Sequence, residues 1–65
     1  MYKVIERLAR ERGMSIAELS AKSGVAQNVL SNLKARGGNL SVINAAKIAD
    51  ALGVDLQALI KKELL

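Results

Sequence analysis

Five glycines and no proline punctuate this chain of 65 residues. Gly13, Gly24, the Gly37–Gly38 pair and Gly53 each follow a stretch with helical periodicity, where a left-handed residue is expected just past a helix end. Four such stops predict an all-α, compact bundle of five helices. No internal repeat, low-complexity tract or linker interrupts the pattern, so residues 1–65 are expected to form one domain.

The first helix is expected from about Tyr2 to Arg12, with Val4, Ile5, Leu8 and Ala9 as its apolar stripe. Lys3, Glu6, Arg7, Arg10 and Glu11 then face water, and pairs such as Glu6–Arg10 and Glu11–Lys3 add little stability. The second starts at Ser15, with Glu18 three residues on, the spacing of a capping box, and buries Leu19. The third, about Gln27 to Ala35, points Leu30 and Leu33 inward, with Val25 plugging the turn before it. The fourth starts at Ser41 and aligns Ala45, Ile48, Ala49 and Leu52. The fifth starts at Asp55, with Leu56, Leu59, Ile60 and Leu64 as its stripe and Lys61 and Lys62 near its end.

What the chain lacks excludes whole classes of function. With no His and no Cys there is no structural zinc site, disulfide, Cys nucleophile or His base, so neither enzyme, metal nor cofactor is expected. The single aromatic residue, Tyr2, offers no platform for stacking bases, against RNA-recognition sheets and single-strand-binding barrels. Apolar runs are too short to span a membrane, and no signal-peptide pattern opens the chain. Ser31-x-x-Lys34 lacks a second base or oxyanion partner, and Gly37–Gly38 lacks the spacing of a phosphate-binding loop. Hydrophobic residues make up 51% and the net charge is +4. That describes a small, basic, soluble, helical binding domain with some attraction to polyanions.

Helix three is the odd one. Its surface positions are Gln27, Asn28, Ser31 and Asn32 rather than the Glu, Lys and Arg of helix one. Amides and serine are mediocre helix formers, so that face serves something other than stability.

The segment from Met14 to Val54 resembles the helix-turn-helix domain of the phage-repressor/Cro-like superfamily (XRE-type, lambda-repressor-like). Ser15, Glu18-Leu19, Lys22-Ser23-Gly24-Val25, Leu30-Ser31, Leu33, Asn39, Ser41, Lys47-Ile48-Ala49 and Ala51-Leu52-Gly53-Val54 carry the resemblance. It implies that helix two lies across the sugar-phosphate backbone of double-stranded DNA while helix three enters the major groove. Residues at the N-terminal end of such a helix reach base edges. The expected base contacts are therefore Gln27 and Asn28, whose amides match adenine N6/N7, followed by Ser31 and Asn32. Ala26 or Val29 is placed to meet a thymine methyl, and any guanine falls to Arg36, Lys34 or an amide. Phosphate contacts are expected from Ser15 and Ile16 at the start of helix two, from Lys22 and Ser23, and from Arg36, Gly38, Asn39 and Ser41.

The chain departs from its relatives in places. Ile16 stands where many have a DNA-contacting Gln, and Ala26 where many have a capping Ser or Thr. The family's frequent Arg–Glu pair falls on Ala9 and Lys34, the usual Pro before Ser41 is Leu40, and the glycine closing helix three comes one residue late. The expected role is that of a transcriptional regulator or stand-alone DNA-binding module, natural or engineered, in the cytoplasm and on the nucleoid when bound. It is expected to act as monomer or homodimer, with no small-molecule ligand and no membrane partner. Ile43, Leu64 and Leu65 are expected to be plain surface apolar residues, with a dimer contact as the alternative. The alternative is a protein-interaction module of the same fold, antitoxin- or coactivator-like, that reads no bases.

Overall fold

The computed structural model describes residues 1–38 and 40–64, the side chains at 63 and 64 excepted. The expectations placed on Asn39, Leu65 and the Leu64 side chain lie outside the described residues. Five helices follow in chain order: α1 (Tyr2–Glu11), α2 (Ile16–Ser23), α3 (Gln27–Arg36), α4 (Val42–Leu52) and α5 (Leu56–Leu64). None of the described helices is long and apolar enough to cross a membrane.

Each helix sends one side chain to the centre. Ile5, Leu19, Leu30, Ile48 and Leu59 are fully buried, one from each of α1 to α5, and Leu8, Ala9, Val25, Leu33, Ala49 and Leu52 complete the core around them. α1 packs against α2, α3, α4 and α5, whereas α3 leans on α1 and α2. Val4 is only partly buried at the edge of the core. Ile60 is a correction to the α5 stripe, because it is exposed. Among the described residues, α5 packs against α1 and α4, and Leu56 and Leu59 are its side chains in or against the core.

Local chemistry explains the helix ends. The Ser15 hydroxyl accepts from the Glu18 amide at 3.1 Å while the Glu18 carboxylate accepts from the Ser15 amide at 3.5 Å, completing the capping box. The Ser41 hydroxyl accepts from the Asn44 amide at 3.3 Å, and the Asp55 carbonyl takes the Leu59 amide at 3.1 Å. α1 and α4 close alike: the residue after each glycine donates to the carbonyl five places back, Met14 to Ala9 at 2.9 Å and Val54 to Ala49 at 3.0 Å. Gly37 differs from the expected left-handed stop. Its φ of 74° is positive but its ψ is −159°, a region essentially reserved for glycine, and the chain leaves α3 extended rather than curling back. Replacing Ser15 by alanine is expected to cost about 1 kcal/mol, measured by urea unfolding, because it removes the cap acceptor from α2.

Charges on α1 divide differently from expectation. Arg10 meets Glu6 at 3.5 Å, but Glu11 lies beside Arg12 at 3.9 Å and not beside Lys3, two turns away. Arg12 does not merely solvate the surface. Its guanidinium donates to the Leu8 carbonyl at 3.0 Å and to the Leu52 carbonyl, fastening the end of α1 to the end of α4. Both carbonyls lie at helix C-termini, where the backbone dipole favours a cation.

Candidate nucleic-acid interface

Because Leu30 and Leu33 are the buried residues of α3, the rest of its circumference is left for other work. Gln27, Asn28, Ser31 and Asn32 are all exposed. Helical register sorts the outer residues into two edges. Gln27, Ser31 and Lys34 fall at i, i+4 and i+7; Asn28, Asn32 and Arg36 fall at i, i+4 and i+8. Each edge starts in neutral hydrogen-bonding side chains and ends in a cation.

The two edges have different neighbours. Gln27, Ser31 and Lys34 line a cleft of about 480 Å³ together with Tyr2 of α1 and Ile16 of α2. Asn32 and Arg36 line a smaller cleft of about 260 Å³ with Val29, Ser41 and Asn44, at the head of α4. Ala26 is exposed and Val29 half-buried.

Serine side chains hold the turn that aims α3. Gly24 sits at φ 77°, ψ 8° and donates to the Ser20 carbonyl at 3.0 Å. The Ser20 hydroxyl donates to the Val25 carbonyl at 2.6 Å, and the Val25 amide donates to the Ser23 hydroxyl at 3.2 Å. Both backbone groups of Val25 are thereby satisfied from α2 while its side chain is buried. Ser23 also donates to the Ser20 carbonyl at 3.4 Å, so its hydroxyl is engaged within the turn. Nothing in the residue pattern alone had distinguished Ser20. Ser20→Ala leaves the Val25 carbonyl without its donor and is expected to cost about 1 kcal/mol, a fall of roughly 4–8 °C in Tm by circular dichroism.

The residues expected at phosphates are dispersed around this helix. Lys22, Arg36, Gly38 and Ser41 are exposed, and Ile16 is half-buried with its side chain against the core. Ser15 is exposed but committed to its capping box. The Glu18 carboxylate stands at that helix end, and a phosphate there would have to displace it. Ala26, at the N-cap of α3, makes no side-chain cap. At the position of the family's Arg–Glu pair, Ala9 is buried and Lys34 instead stands over the Tyr2 ring, 5.9 Å from its centroid.

The charge asymmetry is sharper than the total. Between Leu19 and Ala49 the chain carries Lys22, Lys34, Arg36 and Lys47 and no Asp or Glu, so this stretch accounts for the whole formal net charge of +4. The signal was present in the bare sequence, and a charge count over the whole chain hides it. With no carboxylate of its own, this stretch imposes no like-charge penalty on an approaching polyanion.

A family model described as Helix-turn-helix matches residues 5–59. An uncharacterized HTH-type transcriptional regulator, y4dJ, of Sinorhizobium fredii (strain NBRC 101917 / NGR234) is 44% identical over 48 residues, 74% of this chain and 62% of that protein. The chain thus matches about three fifths of that relative's length. No solved structure matches it.

Proposed function

The chain belongs to the helix-turn-helix family, and on that footing we propose that it binds double-stranded DNA sequence-specifically, with α3 in the major groove, as a transcriptional regulator. The observation that carries this reading is the two-edged face of α3, amide-lined toward its start and cationic toward its end, set in a stretch free of carboxylates. A helix fits the roughly 12 Å width of the major groove, and amides at its leading end pair bidentately with adenine. Gln27 and Asn28 read first and Ser31 and Asn32 a turn later. Arg36, Lys22, Gly38 and Ser41 meet phosphates, while Arg36 is also the group of its edge suited to guanine. Half-sites containing A·T pairs are preferred. With a largest extent of 25 Å, one copy covers about seven base pairs, a single half-site, at 3.4 Å per step. No step of this activity calls for catalysis or a cofactor, and binding of this kind belongs in the cytoplasm, on the nucleoid.

The test is a selection from random duplexes at fixed salt, run with the unaltered chain and with Gln27→Ala and Asn28→Ala. Each substitution is expected to cost about 1–3 kcal/mol and to relax one or two positions of the selected site. Uniform weakening on every sequence would move both residues to the backbone, and enrichment at G·C positions alone would defeat the adenine assignment.

One observation favours a second reading. Val42 and Ile43, at the head of α4, are 73% and 70% exposed, a pair of apolar side chains suited to a protein partner. A protein-holding module would show no enriched duplex in the same selection.

A further inference from the structure

We propose that Lys34 grips a DNA phosphate and that Tyr2 is the positioning residue that holds it at the groove-facing edge of α3. The inference rests on the DNA-binding reading above. Tyr2 is the one aromatic residue of the chain. It is half-buried and packed against the core from α1, whereas Lys34 is exposed. The ammonium lies 5.9 Å from the ring centroid, within reach of the ring's negative face. The ring therefore offers the flexible lysine stem a fixed resting place, and the other side of the ammonium stays open to solvent.

The position suits that task. Lys34 continues the edge of Gln27 and Ser31, and all three border the cleft that Tyr2 closes. Seven residues separate Lys34 from Gln27, about 10 Å along the helix axis. When the leading end of α3 is at the base edges, a group that far back stands at the wall of the groove, where phosphates lie. The nearby carboxylate on α1 is Glu6, which borders the adjoining cleft but is paired with Arg10 at 3.5 Å. A free lysine stem loses much rotamer freedom when it fixes on a phosphate; one already restrained by an aromatic ring loses less. A merely structural Tyr2–Lys34 contact would stabilise α1 against α3 and leave the salt dependence of DNA binding unchanged.

The experiment measures affinity for the selected duplex by fluorescence anisotropy across a salt series. It uses the full chain with Lys34→Gln, Tyr2→Phe, Tyr2→Leu and the double variant Tyr2→Leu/Lys34→Gln, each checked for folding by thermal melting. Lys34→Gln should lower the salt slope by about one and weaken binding roughly five- to tenfold near 0.1 M salt. Tyr2→Leu should weaken binding about threefold when Lys34 is present and leave the Lys34→Gln protein unchanged, while Tyr2→Phe, which keeps the ring face, binds like the unaltered chain. An unaltered slope in Lys34→Gln, or an equal loss from Tyr2→Leu in both backgrounds, overturns the proposal. If the selection still shows a base preference that Gln27→Ala relaxes, those results sink this inference alone. If the unaltered chain binds no duplex, the DNA-binding reading falls and takes this one with it.

Discussion

Leu30→Ala is expected to remove about 2–5 kcal/mol of stability, because it opens a cavity where helices meet and the surroundings relax only in part. Leu30 is fully buried, as are Ile5, Leu19, Ile48 and Leu59 in the same core cluster. A domain of this size has only about 3–10 kcal/mol in all, so the loss removes a large share of its stability. In urea the midpoint should fall with little change in slope, since the surface exposed on unfolding is nearly the same. The contrast lies on the same helix. Asn32→Ala, at an exposed position, should move stability by no more than about 0.5 kcal/mol while altering DNA binding. Equal stability losses from the two substitutions would contradict the division of α3 into a core side and a reading side.

The second large effect is expected from salt. If five or six phosphates are neutralised, log affinity falls against log salt with a slope near −5, so binding weakens about a thousandfold between 50 and 200 mM. Position in the fold separates the cations expected to carry that slope from those expected not to. Lys22 and Arg36 are exposed in the carboxylate-free stretch around α2 and α3, whereas Lys61 and Lys62 lie on α5. Lys22→Gln should lower the slope by about one with base preference unchanged, and Arg36→Gln should lower it by as much while relaxing any guanine position of the site. Lys61→Gln and Lys62→Gln should leave the slope alone. A salt-independent complex would remove the electrostatic half of the proposed function, and equal effects from all four lysines and arginines would show that the charge acts without orientation.

Departures from expectation are physically consistent. The sequence pattern placed Ile60 in the core because helical periodicity counts faces and cannot tell how many neighbours a helix has; among the described residues α5 packs against α1 and α4, and Ile60 stays exposed. It gave Arg12 no long-range role, because the Leu52 carbonyl comes within reach only once α4 has packed against α1. It treated the start of α2 as an open anion site, yet the same Glu18 that identifies the capping box brings a carboxylate to that end. The candidate base-reading row was legible because four neutral polar residues on one helix is a composition signal. Its division into one edge beside Tyr2 and another beside the head of α4 was not.

Five helices, their capping serines and the five residues at the centre of the core were determined by the chain alone, since each depends on spacing within a few residues: a hydroxyl reaching the third amide on, a glycine past a last turn, apolar side chains repeating every three or four positions. Only the tertiary structure decided that Lys34 stands over Tyr2, that Ser20 holds Val25, that Arg12 reaches across 40 residues to Leu52, and which sides of α3 border a cleft. Those contacts depend on the angles at which helices cross and the turns that join them, and such geometry comes from the packing of all the core side chains together rather than from any short stretch of sequence.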